Sequence, residues 1–217
     1  MRVLTEAEQS KIKILTKNQV SLSLIEPTET GLKKSIMDAT GSVRSFLKEN
    51  NIHDYDIQGQ GQENKVQIEA LIYQDFQVIH STASLYRPQT KKGDPRIWFS
   101  GLTKIANPND LIAMIFYSGS FHIFNLTQLN VEVLINSSLI NPLKELILEI
   151  SGKANEIAFE LLAMLRKVAS AGPIPSMVAA DTSVGRTLET ALGIDINSSK
   201  QPDYKGIELK SFRSSRT

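Results

Sequence analysis

The sequence predicts an α/β (α+β) protein in two parts: a sheet-rich amino-terminal domain with a flanking helix, then a helical connector leading into a short strand near the carboxyl end. Three observations predict it. Short apolar runs rich in β-branched and aromatic residues, separated by turn residues, fill the chain from about Gln58 to Gln128. Apolar residues at helical spacing flank that region on both sides. The stretch Gly172-Pro173-Ile174-Pro175 then halts the second helical region, because proline lacks the backbone donor and restricts its predecessor. At 217 residues the chain suffices for one large domain or two ordinary ones, and the change of pattern favours two.

Residues 1–29 read as an arm of thin apolar content, with one candidate strand at Val20 to Ile25 before Pro27, and are expected to be loosely held. Residues 30–140 read as the amino-terminal α+β domain. Leu32, Ile36, Val43, Phe46 and Leu47 predict a helix from Thr30 to Asn50, with Gly41 as its weak point. Strands are expected at Val66 to Ile72, Val78 to Leu85, Arg96 to Phe99, Leu111 to Tyr117 and Phe121 to Leu126. Ser118-Gly119-Ser120 suits a hairpin turn, since glycine accepts the positive φ such turns need. The expected product is a mostly antiparallel sheet with the Thr30 helix on one face.

Residues 141–217 read as a helical connector and a second domain. Leu143, Leu146, Ile147, Ile150, Ile157, Leu161, Leu165 and Val168 form an apolar stripe from Asn141 to Ala171, and Gly152 is the expected break between two helices. A further helix is expected to start near Asp181-Thr182, run through Val184, Leu188 and Leu192, and stop at Gly193.

Composition narrows the chemistry. There is no cysteine, which excludes disulfide scaffolding, thiolate zinc sites, Fe–S ligation and cysteine nucleophiles. The formal charge of +1 provides no global field toward nucleic acid, so any basic surface is local. No stretch approaches the roughly 20 apolar residues of a membrane span, and Met1 to Lys17 lacks a signal-peptide run, which makes the cytoplasm the expected compartment. His53, His80 and His122 have no mutual spacing for a metal or a triad and read as structural.

The most basic stretch lies between Ser84 and Lys104, where Arg87, Lys91, Lys92, Arg96 and Lys104 face one acid, Asp94, with Tyr86, Trp98 and Phe99 interleaved. Such a loop on a sheet suits phosphate contacts, and Arg87 or Arg96 can make bidentate contacts to guanine. The same letters describe a solvated loop, Pro88 to Pro95, joining two core strands beside a buried Trp98.

The end of the chain carries the densest chemistry. Ile207, Leu209 and Ser211 alternate with Glu208, Lys210 and Phe212, so a strand here sets Glu208 and Lys210 on one face. Asp203 precedes them by one tight turn around Gly206. A bend that returns Asp203 to that face gathers two carboxylates and an ammonium, the inventory for metal-assisted phosphodiester hydrolysis: hard oxygens for Mg2+ and a lysine to orient the attacking water. An edge strand kept soluble by alternating charges explains the same letters.

The segment Val184 to Asp195, followed by Pro202-Asp203-Tyr204-Lys205-Gly206-Ile207-Glu208-Leu209-Lys210-Ser211-Phe212, resembles the catalytic half of the MvaI/BcnI restriction endonucleases and is similar to the related MutH nickases. The resemblance runs from Ala171 to Phe212, about a fifth of the chain. It implies the start of a PD-(D/E)xK nuclease fold, with Asp203 and Glu208 as Mg2+ ligands and the Leu209 carbonyl as a further one. Lys210 then stands beside the attacking water, and Glu189 is an accessory acid projecting from a helix. The family further implies a type II restriction endonuclease of the prokaryotic cytoplasm, acting as a monomer on specific sequences of double-stranded DNA to leave a 5′-phosphate. A cognate DNA methyltransferase would be its functional partner. Domains of this family extend well past the Glu-x-Lys strand, whereas Thr217 comes seven residues after Lys210. The resemblance therefore implies an incomplete nuclease domain whose isolated cutting is weak or absent, since such a site depends on preorganisation. A non-catalytic DNA-binding module is the alternative, with salt-dependent binding that survives loss of Asp203.

Overall fold

The computed structural model describes residues 2–176, 183–195 and 202–212, and its contacts divide the chain into two units, Met1–Ser151 and Gly152–Thr217.

In the first unit the amino-terminal arm is firmly built, contrary to expectation. Thr5 caps helix α1 (Glu6–Lys17) through a reciprocal box: the Glu8 amide donates to the Thr5 hydroxyl at 3.2 Å and the Thr5 amide to the Glu8 carboxylate at 2.9 Å. Arg2 also donates to Glu8 through both terminal guanidinium nitrogens, at 2.8 and 2.5 Å, and the Thr127 hydroxyl does so at 2.7 Å. The arm's apolar residues are few but well placed, for Leu15, Val20 and Ile25 are all buried.

The helix expected from Thr30 to Asn50 is instead α2 (Glu29–Lys34), a two-residue strand β2 (Met37–Asp38) and α3 (Gly41–Glu49). Ser35 ends α2 in the left-handed region at φ 53°, and the Ala39 amide then bonds to the Pro95 carbonyl at 2.9 Å, joining the chain to a sheet edge. Those long-range bonds override a helical periodicity that survives on either side of the break.

The other strands are β1 (Ser23–Ile25), β3 (Val66–Gln74), β4 (Gln77–Tyr86), β5 (Arg96–Phe99), β6 (Ile112–Tyr117) and β7 (Ser120–Asn125). They form one sheet in the order β1-β6-β7-β3-β4-β5-β2, antiparallel throughout except for the parallel pair β3 and β7. Ser118 (φ 50°) and Gly119 (φ 84°) make the β6–β7 turn, the positive pair that matches the natural strand twist.

Period-two alternation divides the sheet's side chains between two cores. Ala70, Ile72, Met114, Phe121 and Ile123 pack with Val43 and Leu47 of α3. Leu71, Tyr73, Ala113, Ile115 and Phe124 face the opposite way, onto Leu15 of α1, Val131 and Leu134 of α4 (Val131–Asn136), and Leu143 to Ile150. His122 is buried on that side, with Tyr73 donating its hydroxyl to Nδ1 at 2.8 Å while Nε2 donates to the Tyr117 carbonyl at 3.2 Å. Burial holds the imidazole below its ordinary pKa and pushes the Tyr73 phenol up to about 12.

Helix α5 (Pro142–Ser170) runs unbroken for 29 residues. Asn141 caps it, accepting the Lys144 amide at 3.0 Å and donating its own amide to the Leu134 carbonyl at 2.8 Å, with Pro142 at the first helical position. Gly152 does not break the helix, because a mid-helix glycine costs only about 1 kcal/mol against alanine. The stop comes at Gly172, which takes φ 86° before Pro173.

In the second unit α6 (Ser183–Ala191) ends where the sequence predicts. Gly193 sits at φ 70°, its amide bonded to the Thr190 carbonyl at 3.0 Å, while the Ile194 amide reaches the Glu189 carbonyl at 2.9 Å. The expected cap at Asp181-Thr182 lies outside the described residues.

Candidate active site

The site is built on a very short hairpin. Lys205 (φ 42°) and Gly206 (φ 94°) form a two-residue turn closed by reciprocal backbone bonds, Tyr204 amide to Ile207 carbonyl at 3.0 Å and the reverse at 2.7 Å. This turn brings Asp203 back beside the following segment, where its Oδ2 accepts the Leu209 amide at 2.7 Å. The anticipated bend is therefore present, and it ties the first carboxylate to the backbone between Glu208 and Lys210.

The strand expected over the following residues is reduced to the Tyr204–Ile207 bridge, and residues 208–212 pair with no strand among the described residues. The physical reason is local: the Leu209 amide, which a ladder would use, is spent on Asp203. The alternation nevertheless holds, with Ile207 and Leu209 half-buried and Glu208 and Lys210 exposed. Glu189 faces this segment from α6. A methyl group placed on Gly185 would lie 3.4 Å from the Ser211 hydroxyl and 3.6 Å from a Glu189 carboxylate oxygen, so both side chains border one small space above the helix.

Sequence reasoning missed the hairpin's anchor. Lys205 donates to both oxygens of Glu160 on α5, at 3.0 and 2.7 Å, and its ammonium lies 5.3 Å from the Tyr204 ring centroid. The Lys205 bond, with a lesser one from Tyr204, holds the Glu160 carboxyl below its ordinary range, and Glu160 holds the Lys205 ammonium above its own. The available signal was Lys205 itself, a long side chain at a positive-φ turn position where asparagine or glycine is usual.

Among the described residues no three His, Cys, Asp or Glu side chains gather into a metal-holding group. The candidate donors are a pair: among the described residues one Asp203 oxygen has no hydrogen-bond partner, Glu208 is exposed, and the Leu209 carbonyl follows directly. That set fits Mg2+, which takes one or two carboxylates and leaves its other positions to water and substrate phosphate.

The basic side chains of the loop differ in their surroundings. Arg87 donates Nε to the Gly93 carbonyl at 2.8 Å and Nη1 to the carbonyls of Gln58 (3.1 Å) and Tyr55 (3.4 Å), so its guanidinium holds the loop's own backbone. Arg96 lies on β5 with its Nε buried, Trp98 is half-buried, and Lys91 and Lys92 are exposed.

The structure thus brings the Asp203 carboxylate back onto the Leu209 amide, between Glu208 and Lys210, and sets Glu189 near Ser211. Residues 162–217 match the MvaI/BcnI restriction endonuclease family, which makes this part of the chain similar to DNA-cleaving nucleases. No curated protein and no solved structure matches the chain.

Proposed function

We propose that the chain carries the catalytic segment of a type II restriction endonuclease that hydrolyses double-stranded DNA at a specific sequence. The observation that carries this reading is the Asp203 carboxylate folded back onto the Leu209 amide inside the family-matched stretch. Asp203, Glu208 and the Leu209 carbonyl would hold Mg2+, which supplies Lewis-acid polarisation of the scissile phosphate. Lys210 orients the attacking water and offsets the charge that develops on the phosphate. Glu189 is an accessory acid acting from α6, through a water or through Lys210. In-line attack leaves the phosphate on the 5′ end. The setting of such an enzyme is the prokaryotic cytoplasm, as a monomer with a cognate DNA methyltransferase protecting host sites.

The test is incubation of supercoiled plasmid with the chain in Mg2+, in chelator, and with Asp203→Ala. Weak nicking that requires Mg2+ and disappears in the variant is expected, since removing one key electrostatic group costs about a hundredfold or more. Equal nicking by Asp203→Ala would overturn the assignment. A second reading, a non-catalytic DNA-binding module, is favoured by the exposed pair Lys91 and Lys92. It predicts DNA affinity unchanged by Asp203→Ala and no Mg2+-dependent cutting.

A further inference from the structure

The hairpin that carries Asp203 is too small to fix its own place. Its ladder is the single Tyr204–Ile207 bridge, and residues 208–212 pair with no strand among the described residues. A two-stranded hairpin without a third strand or a helix against it is marginal in water. The bond from the Leu209 amide to Asp203 Oδ2, at 2.7 Å, ties the carboxylate to the segment that follows the turn. That bond lies wholly within the hairpin and does nothing to place the carboxylate relative to the helices of the second unit.

Glu160 supplies that placement from α5. Its two oxygens accept from the Lys205 ammonium at 3.0 and 2.7 Å, and the Tyr204 side chain adds a further hydrogen bond to the same carboxylate. Tyr204 and Lys205 directly follow Asp203, so one helical carboxylate holds the two residues next to the candidate metal ligand. The Lys205 ammonium also lies 5.3 Å from the Tyr204 ring centroid, which draws both side chains into one cluster. An isolated exposed ion pair contributes little, and Glu160 and Lys205 are both exposed. What distinguishes this pair is an acceptor shared by two consecutive residues of a turn that has few other supports. With both oxygens engaged by Lys205, Glu160 acts through the hairpin and is not itself a ligand. It also stands just ahead of the family-matched stretch, residues 162–217, so the match assigns it no role.

We propose that Glu160 is a positioning residue: through Lys205 and Tyr204 it fixes from α5 the place of the Asp203 carboxylate. The functional meaning of that place rests on the reading of Asp203 as a Mg2+ ligand, whereas the placement itself is measurable without metal.

The experiment compares the 15N-labelled full chain with Glu160→Gln and with the exchanged pair, Glu160→Lys together with Lys205→Glu. Without metal, hydrogen exchange at the Leu209 amide reports its bond to Asp203, and the Ile194 amide, bonded to the Glu189 carbonyl at the end of α6, is the internal reference. Glu160→Gln should speed exchange at Leu209 about fivefold, the upper end of what an exposed pair supplies, and leave Ile194 unchanged. The exchanged pair should restore most of the protection. In a Mg2+ titration followed at the Leu209 amide, the half-saturating concentration should rise about fivefold in Glu160→Gln and fall back in the exchanged pair, with the urea midpoint the same in all three proteins. Exchange at Leu209 that Glu160→Gln leaves unaltered, a loss that the exchanged pair does not recover, or an equal loss at Ile194 would each overturn the proposal. So would an unchanged Mg2+ affinity in Glu160→Gln when the native chain binds the ion. A native Leu209 amide that ignores Mg2+, while its protection still depends on Glu160, would sink the metal reading of Asp203 and leave the positioning role standing.

Discussion

Glu8 to Gln tests how the amino-terminal arm is held. The native carboxylate accepts four hydrogen bonds, two from Arg2, one from the Thr5 amide and one from the Thr127 hydroxyl, and its side chain is only 2% exposed. Glutamine keeps one acceptor but turns an NH2 toward donors, leaving the Arg2 guanidinium short of a counter-charge. Breaking a fully buried ion pair costs about 3–5 kcal/mol, and because Arg2 retains 29% exposure the expected cost here is lower, about 2–3 kcal/mol. The Arg2 hydrogen bonds hold the Glu8 pKa well below the ordinary carboxylate range. A depressed folded pKa contributes stability that is present above the unfolded value of about 4.3 and is lost as pH falls toward the folded value. The native advantage should thus be full near pH 7 and shrink by about 1.4 kcal/mol for each unit below about 4.3, leaving roughly 1 kcal/mol or less near pH 3. Urea unfolding of both proteins at the two pH values measures it. A difference under about 0.5 kcal/mol at neutral pH, or a gap that does not narrow in acid, would refute the role assigned to the pair.

Gly152→Ala should stabilise the protein by about 1 kcal/mol in urea melts, because the site lies within a continuous helix and a Cβ there meets nothing within 4 Å; destabilisation would mean a real break. Asn141→Ala should cost about 1–2 kcal/mol by the same measurement, since it removes both the cap on the Lys144 amide and a buried donor to Leu134. Replacing Lys91 and Lys92 together with alanine should leave stability unchanged and lower the salt slope of DNA binding by about two, read by fluorescence anisotropy, whereas Arg87→Ala should act on stability by freeing the loop carbonyls.

The strands were legible because β6 and β7 read as short, nearly continuous apolar runs bounded by turn residues, the record of strands covered on both faces. The turns at Ser118-Gly119 and Lys205-Gly206 were legible because positive φ leaves its mark in glycine. The short strand β2 was not, since Leu32, Ile36, Val43 and Leu47 keep helical spacing across a break that only the pairing of Met37 with Ile97 imposes. Gly152 misled in the opposite direction, its weak intrinsic preference being outweighed by the apolar stripe around it. The parallel pairing of β3 with β7 and the approach of β1 to β2 are long-range facts with no local signature. At the site, residue types predicted a bend that returns Asp203, but not that a backbone amide would take one oxygen of Asp203 or that Glu160 would hold Lys205. Arg87 and Lys91 carry the same charge in sequence, and only burial separates the one that holds carbonyls from the one that faces solvent.

The most direct measurement is a Mg2+ titration of the 15N-labelled chain observed at the Leu209 amide, the donor to Asp203, with Asp203→Asn as the comparison. Saturable movement of that signal in the native chain, absent in the variant whose fold is otherwise unchanged, is expected if Asp203 and its neighbours hold the ion. A Leu209 signal that Mg2+ leaves in place, or moves equally in Asp203→Asn, would contradict it.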